Sequence, residues 1–340
     1  MKVWKKFLQK KNNRKYIFGI TAVLFMTSAL LSLCLGAAHL TIPQLIRAIQ
    51  GGASSGFEGN IFWYVRLPRT AACILAGAGL SVSGAVIQGV LANKLASPGI
   101  IGVNAGAGLA VTICCAFGLL SGWAIAGSAF AGAFAAVMLV ALTAQKTGAS
   151  RTTVVLGGVA VNSFLNAGSE AITTLMPEVG VFSADFRVGG FSSVTTARLL
   201  PAGILIIGAL VIVFTLCNEL DLMNLGEEAA QGLGLPVKKM RTVFLILSAL
   251  LAGASVSFAG LLGFIGLIVP HMARKLVGGE SRYLLPFCAL SGAAFVTICD
   301  LAARLIFQPY EIPVGILMSF IGGPFFVFLL LKYRGGHGHD

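Results

Sequence analysis

Charged side chains are scarce in this sequence. Only 11% of the 340 residues are Asp, Glu, Lys or Arg, and just 12 residues are acidic. Soluble domains carry about 25% charged residues, whereas this chain is 57% hydrophobic with a mean hydropathy of +0.91. The composition excludes an ordinary soluble protein and indicates an integral membrane protein. Because the basic residues mostly flank apolar runs, the net charge of +12 is interpreted as a topology signal and not as nucleic-acid binding.

Metal-ligand and disulfide patterns are also missing. The seven cysteines lie in or beside apolar runs without CxxC spacing, which is typical of small buried hydrophobes. The tail 335–340 contains two histidines, and it is interpreted as a cytoplasmic end rather than a metal site. The sequence has no nucleotide-binding loop and no soluble catalytic domain. We therefore predict neither a metal, nor a cofactor, nor a catalytic residue in this chain.

Long apolar runs are abundant and predict an all-helical membrane protein. Continuous runs argue against a barrel, whose strands alternate over about 10 residues, and the 43 glycines suit closely packed membrane helices. A span needs roughly 20 apolar residues. We predict about ten transmembrane helices, of which the eighth is too short to cross alone and should pack inside the bundle. They are 16–38, 68–91, 98–118, 122–144, 152–174, 199–217, 242–259, 261–271, 284–306 and 313–331.

Small residues recur at helical spacing in two of these spans. Gly77, Ser81, Ala85 and Gly89 share one face of the second span. The next span carries Gly102, Gly106 and Ala110. We expect both faces to be sites of close helix packing.

The even number of spans places both termini on one side. The basic residues 1–15 form a predicted cytoplasmic tail, and the apolar run after them is too long for a signal peptide. With the N-terminus inside, most of the 24 Lys and Arg residues lie on the cytoplasmic side, as the positive-inside rule expects. The prediction is a multi-pass protein of a cytoplasmic membrane with both termini cytoplasmic. Residues 1–340 form one transmembrane domain.

The polar segment 225–236 interrupts this apolar pattern on the cytoplasmic side. It contains two carboxylates at the start of a short predicted helix and a Gly-Leu-Gly sequence at its end. A chain that only crossed the bilayer would need no more than a tight turn here. The segment therefore predicts a contact with another protein.

Three blocks together resemble a known family. The first runs from Arg66-Leu-Pro-Arg69 through Gly77, Gln88 and Asn93 to Pro98 and Gly102. The second is Gly263-Phe-Ile-Gly266-Leu-Ile-Val-Pro270-His271-Met-Ala-Arg274, followed by Asp300, Arg304 and Glu311-Ile-Pro313. The third is Leu225–Gly234. Taken in their order along the chain, the three blocks resemble the FecCD-type permease subunits of ABC importers for iron–siderophore complexes, haem and vitamin B12.

This resemblance implies a type II importer permease and a set of partners. The expected partners are two ABC ATPase subunits, a second permease chain (identical or different), an extracytoplasmic substrate-binding protein and the lipid bilayer. ATP and Mg²⁺ would be used by the ATPase, and this chain would catalyse nothing itself. The substrate implied is a metal chelate, with ferric siderophores favoured and haem or cobalamin as alternatives.

The resemblance assigns Leu225–Gly234 to the ATPase-coupling segment, which lies within residues 225–240. The residues concerned are Leu225, Gly226, Glu227, Glu228, Ala229, Gln231, Gly232, Leu233 and Gly234. Glu227 and Glu228 stand near a helix start, where negative charge is favoured. Capping of that helix alone is the alternative role for these two carboxylates.

Arginines at the predicted outer mouth match positions that receive the binding protein in this family. They are Arg66, Arg69 and Arg304. A planar guanidinium suits carboxylate docking because it donates two parallel hydrogen bonds. Two alternatives stay open: Arg304 could pair with Asp300 at i,i+4, and Arg66 and Arg69 could anchor to lipid headgroups.

The implied cytoplasmic gate involves two turns, Asn93–Leu95 and Ala149–Ser150. Relatives often carry hydroxyl residues at the second turn, and Ala149 departs from that pattern. Glu170 is a carboxylate inside a predicted span, where burial of a charge is costly. We expect it to face the pathway or a subunit interface; a position near the outer helix end is the alternative.

Two other classes fit the sequence less well. An ion-coupled secondary transporter would need paired carboxylates or matching broken helices in two halves, and Glu170 stands alone. A membrane-embedded enzyme would need a catalytic dyad, paired acids or clustered histidines, and the sequence shows none of these.

Overall fold

The structure is a computed structural model that describes residues 11–36, 42–52, 56–146, 151–306, 308 and 310–334. These residues form fifteen α-helices and no strand. The helices are α1 (Lys11–Cys34), α2 (Ile42–Gly51), α3 (Phe57–Asn60), α4 (Leu67–Val90), α5 (Val103–Ala116), α6 (Gly122–Lys146), α7 (Arg151–Leu175), α8 (Pro177–Val188), α9 (Thr196–Thr215), α10 (Cys217–Asn224), α11 (Glu227–Gly232), α12 (Val237–Ala259), α13 (Ile265–Val277), α14 (Ser281–Leu305) and α15 (Val314–Arg334). A π-helical turn, Ile61–Arg66, joins α3 to α4, and a 3₁₀ turn, Pro98–Ile101, precedes α5.

Helix α4 is the centre of the bundle and is buried along nearly its whole length. Its small residues allow this, because a Cβ added to Gly77 would overlap the backbone of Gly292 in α14. A Cβ on Gly84 would likewise overlap Gly266 in α13. Ser81 follows the same face and donates a hydrogen bond to the Cys288 carbonyl at 2.7 Å. The predicted packing face of the second span is confirmed at these positions.

A second close pair joins α5 to α6. Gly106 and Gly132 approach each other so tightly that a Cβ on either would overlap the other's carbonyl oxygen. Gly102 lies against Ala136 in the same interface. The second predicted small-residue face is therefore also a helix contact. Helix α7 packs beside this pair, where Asn162 donates to the carbonyls of Gly99 and Ile100 at 2.8 and 3.0 Å.

The described residues contain six helices that are long and apolar enough to cross a membrane. These six candidate spans are Arg14–Cys34, Phe57–Val90, Gly122–Thr143, Thr196–Thr215, Val237–Ala259 and Ser281–Leu305. Two shorter apolar helices, Val103–Ala116 and Val314–Leu329, accompany them. Helix α7 has 25 residues but is not among the six, because polar side chains interrupt it. The fold is thus an all-helical membrane protein with six strong spans and shorter apolar helices among the described residues, and the exact number of ten stays a prediction.

Two elements differ from the predicted spans. The eighth span begins at Ile265 rather than near 261, because Gly260 and Phe264 have positive φ values of 69° and 66° that interrupt the helix. It ends at Val277 and is packed inside the bundle, as expected of a short helix. Helix α8 was not predicted, since its twelve residues mix acidic, basic and apolar side chains.

Contacts between helices define two ends of the bundle. Helices α1 and α14 run parallel, with Arg14 beside Glu280 at one end and Ser32 beside Arg304 at the other. Helix α4 runs antiparallel to α14, since Arg69 meets Asp300. We call the end that holds Arg66, Arg69 and Arg304 the arginine end, and the end that holds Gln88, α10 and α11 the opposite end.

Candidate functional site

The predicted docking arginines form one buried charge cluster at the arginine end. Asp300 is 1% exposed and accepts from Arg69 Nε and Nη2 at 3.0–3.2 Å. Its Oδ2 also lies 3.0 Å from Arg304 Nε. Glu311 completes the cluster by accepting from Arg69 Nη1 at 2.7 Å. The i,i+4 pair left open for Arg304 is therefore present.

Arginines of this cluster also hold the end of α1. Arg66 Nη1 donates to the carbonyls of Leu33 and Cys34 at 2.7 and 2.5 Å. Arg304 Nη1 donates to the Leu35 carbonyl at 3.2 Å. The last carbonyls of a helix have no partner within the helix and carry partial negative charge. The two guanidinium groups thus fasten the first span to α4 and α14.

Burial limits what this cluster offers to a partner protein. Arg66, Arg69 and Arg304 are 3%, 8% and 3% exposed in the isolated chain. Glu311, with a side chain 34% exposed, is the most accessible residue among the ion pairs of this cluster. Neither docking of a binding protein nor headgroup anchoring is tested by these contacts, and docking stays a prediction.

The predicted coupling segment lies at the opposite end and contains one short helix, α11, which α10 precedes. Helix α10 ends at Asn224, Gly226 turns the chain with a φ of 112°, and α11 begins at Glu227. Glu227 Oε2 accepts from Arg241 Nη2 at 2.9 Å, and Arg241 lies buried in α12. No side chain caps α11. Glu227 therefore joins the segment to α12 rather than capping its own helix.

The tip of the coupling segment is exposed. Leu225 and Leu233 are each 63% exposed, although both are large apolar residues. Glu228 is exposed beside them, whereas Ala230 is fully buried. Among the other predicted coupling residues, Ala229, Gln231, Gly232 and Gly234 are also exposed. The tip thus offers two leucines and one carboxylate on a rigid base.

A second carboxylate, on α10 just before the coupling segment, bonds to the start of α14. Asp221 on α10 accepts from the Ser281 backbone N–H at 3.0 and 3.1 Å and from its hydroxyl at 2.6 Å. Ser281 is the first residue of α14. Orphan N–H groups at a helix start favour a carboxylate partner. Asp221 and Glu227 therefore bracket the turn at Gly226 and tie it to α14 and α12.

One of the two predicted gate turns lies beside α13. Asn93 Oδ1 accepts from the Leu95 N–H at 2.9 Å, which shapes the turn. Gln88, 2% exposed, donates to the carbonyls of Ala96 and Gly266 at 3.1 and 3.2 Å and accepts from Arg274 Nη1. The turn is thereby connected to α4 and α13. The other predicted gate residues, Ala149 and Ser150, lie outside the described residues.

Glu170 lies on an exposed polar face of α7. Ser163, Asn166, Glu170 and Thr174 recur at a spacing of three or four residues and are all exposed. A polar helix face is costly in lipid. Glu170 lies five residues before the end of α7. Its role at a pathway or an interface stays a prediction.

Several of these side chains were not identified as site residues from the sequence. Gln88 and Arg274 were quoted only as motif positions, and Asp221, Arg241 and Arg187 were not singled out. A signal for Arg187 existed, since it is the only Lys or Arg between Arg151 and Arg198. Within the described residues, no group of three or more His, Cys, Asp or Glu is placed to hold a metal ion.

The chain is similar to known transport proteins over nearly its whole length. It is 36% identical over 329 residues to the Fe(3+)-citrate import system permease protein YfmE of Bacillus subtilis, covering 96% of this chain and 98% of YfmE. It is 34% identical over 342 residues to the vitamin B12 import system permease protein BtuC of Klebsiella pneumoniae, covering 96% and 97%.

A solved structure of an ABC transporter assigned to the metal-chelate type, in an inward-facing conformation, is 30% identical with a TM-score of 0.83. The match covers 94% of this chain and 99% of that one. Residues 24–332 match the FecCD transport family, and this range contains all three motif blocks. The predicted resemblance is confirmed, and the chain belongs to the FecCD transport family.

Proposed function

We propose that this chain is the membrane permease of an ATP-driven importer that passes a metal chelate from an extracytoplasmic binding protein to the cytoplasm. Its family and its similarity to import permeases such as YfmE and BtuC support this function. The substrate proposed is a ferric siderophore or a similar ferric chelate. Haem and cobalamin are the alternatives.

The observation that carries the proposal is the exposed tip of the coupling segment. Leu225 and Leu233 are 63% exposed on a base that is itself tied down by Asp221 and Glu227. Exposed apolar side chains on a segment that is held in place are suited to binding by a partner protein. An ATPase that seats on this tip can move α12 and α14 through the two carboxylates.

The proposed assembly contains two copies of the permease fold and two ATPase subunits. Each permease would have ten membrane-crossing or membrane-embedded helices, comprising the six strong spans together with α5, α7, α13 and α15. The opposite end and both termini would be cytoplasmic. The arginine end would face the binding protein.

The pathway is proposed to run along the exposed polar face of α7. Ser163, Asn166 and Glu170 would then contact water or a partner permease instead of lipid. The turn at Asn93–Leu95 would form part of the cytoplasmic gate, held through Gln88 to α13. Movement of α13 relative to α4 would displace this turn.

Docking of the binding protein at the arginine end is a prediction that salt can test. Arg66→Gln removes one positive charge from the arginine end and should weaken binding of the cognate binding protein. The effect should be larger at low ionic strength, because salt screens the attraction between this charge and carboxylates of the partner. The measurement is the dissociation constant at two salt concentrations, with thermal unfolding of each variant as a check on α1. If the variant unfolds normally and binds with unchanged affinity, Arg66 has no role in docking and serves only to hold the end of α1.

The test of the proposed function is reconstitution. The chain would be purified in mild detergent with its bound partners, placed in liposomes, and assayed for uptake of ⁵⁵Fe chelates with and without ATP. We expect an ATPase at roughly one copy per permease chain, and uptake only with ATP and binding protein. Transport by the permease alone without ATP would refute the proposal.

A further inference from the structure

A cavity of about 480 Å³ opens between α8, α15 and the segment that precedes α13. Ligand sites commonly have volumes of about 300–1,000 Å³ and combine apolar walls with a few polar groups. Its wall is largely apolar and includes one cation. The lining residues used here are Arg187, Val188, Leu261, Ile316, Ser319 and Phe320.

The guanidinium of Arg187 is oriented by two buried hydroxyls. Arg187 Nη2 donates to Ser169 Oγ at 2.7 Å and to Thr112 Oγ1 at 3.4 Å. These hydroxyls lie 2.9 Å apart and are 6% and 0% exposed. Neutral hydroxyls fix the side chain without neutralising its charge.

The charge of Arg187 is not matched by a carboxylate within the part of the chain that the structure describes. Glu170 follows Ser169 on α7 and Asp185 precedes Arg187 on α8, yet neither forms an ion pair with it. Among the same described residues, its Nη1 and Nε have no hydrogen-bond partner. Arg187 itself is exposed. Charged donors are therefore available at the cavity.

Arg187 bonds to α7 within that helix and not at its terminus. Ser169 lies six residues before the end of α7, which is about 9 Å along a helix axis. Where lipid surrounds such a segment an arginine is costly, and it is found at water-filled cavities or protein contacts. The open cavity beside it is such a place.

We infer that this cavity is a transit site for an anionic metal chelate, with Arg187 as the residue that recognises its negative charge. The inference rests on the proposed function and adds the charge class of the substrate. An anionic group such as a carboxylate would accept hydrogen bonds from Arg187, while the body of the chelate would lie against Leu261, Ile316 and Phe320. A cavity with a single cation is appropriate for a transit site, because a chelate bound by many charges would dissociate slowly.

The first test compares two chelates in the reconstituted importer. Ferric citrate is anionic, whereas a ferric trihydroxamate without other ionised groups is neutral. Arg187→Gln should lower the initial uptake rate of ferric citrate on the order of tenfold, the effect of losing one charge-assisted contact. Uptake of the neutral chelate should not change, and Arg187→Lys should retain most of the ferric citrate rate.

Arg198→Gln is the matched control. Arg198 also bonds to a hydroxyl and a carbonyl, those of Thr195 and Ser193, but it does not line the cavity. Its replacement should leave both chelates unaffected. Equal losses for both chelates in Arg187→Gln, or no loss, would overturn the inference. So would a wild-type importer that carries only the neutral chelate. A wild-type importer that carries neither chelate would contradict the proposed function itself.

A second test measures the charge of the cavity without any substrate. Ser319→Cys places a thiol on the exposed wall of the cavity, in a background where Cys34, the one cysteine that is not buried, is Ser. A sulfonate-bearing methanethiosulfonate should react faster than its trimethylammonium analogue. Arg187→Gln should reduce that ratio severalfold, because the attracting charge is gone. An unchanged ratio would overturn the inference even if the importer proves active.

Discussion

Asp300 forms buried ion pairs with two arginines, Arg69 and Arg304. Both Arg69 and Arg304 are less than one tenth exposed, and each lies 3.0 Å from a carboxylate oxygen of Asp300. Removing one partner of a buried ion pair leaves an uncompensated charge, which costs on the order of 3–5 kcal/mol.

Asp300→Asn should therefore destabilise the isolated chain strongly. The measurement is the midpoint of thermal unfolding in detergent. Glu311→Gln is the control, because Glu311 is partly exposed and pairs with Arg69 alone, so about 1 kcal/mol or less should be lost. Similar losses in the two variants would show that Asp300 does not organise the cluster.

The two adjacent glutamates of the coupling segment should behave differently. Glu228 is exposed, so Glu228→Lys should reduce the amount of ATPase that copurifies while leaving the unfolding midpoint unchanged. Glu227→Gln weakens the contact with buried Arg241 and should lower the unfolding midpoint, by on the order of 1 kcal/mol in stability. The reverse assignment of effects would mean that Glu227, and not Glu228, meets the partner.

Some contacts of these residues could be predicted from the sequence and others could not. The pair of Asp300 with Arg304 could be anticipated, since residues four apart on a helix are neighbours. The contact of Asp300 with Arg69 spans 231 positions, and no local pattern encodes it. The docking role of the arginines was predicted from the family resemblance, which carries no information about the pairing of Arg69 with Asp300 in this chain.

At the scale of helices, the glycine contacts determine how closely α4 and its neighbours pack. Gly77→Ala should destabilise the chain by about 1–3 kcal/mol, because the added Cβ meets the Gly292 backbone, which cannot shift freely. Gly208→Ala in α9 is the control: nothing lies within 4 Å of its added Cβ, and alanine favours a helix by roughly 0.5–1 kcal/mol. The measurement is the midpoint of thermal unfolding of both variants. Equal midpoints would contradict the conclusion that the Gly77 contact sets the packing distance of α4.

The helices themselves were predictable where the sequence is uniformly apolar. The runs that became α1, α4, α9, α12 and α14 were recognised because membrane spans require about 20 such residues. Helix α8 was missed since Glu178, Asp185 and Arg187 interrupt its apolar pattern. The start of α13 was misplaced because Phe264 has a positive φ, which its residue type does not predict.

At the scale of the whole molecule, the orientation in the membrane gives a direct prediction. Leu233 is 63% exposed at the opposite end, and Tyr310 is 79% exposed near the arginine end. In a Cys34→Ser background, a membrane-impermeant thiol reagent applied to intact cells should label Tyr310→Cys but not Leu233→Cys. Leu233→Cys should react after the membrane is opened. Labelling in the reverse order would invert the proposed topology.

Helix α14 connects the two ends of the molecule as one continuous element. It begins at Ser281, where Asp221 holds it, and ends just beyond Asp300 and Arg304. Its 25 residues span about 37 Å. Pro286 removes one backbone hydrogen bond near the Ser281 end, and the rest is an uninterrupted rod. If an ATPase seats on the coupling tip and a binding protein docks at the arginine end, as proposed, both would act on the same helix. Displacement of one end of α14 would then be transmitted to the other end.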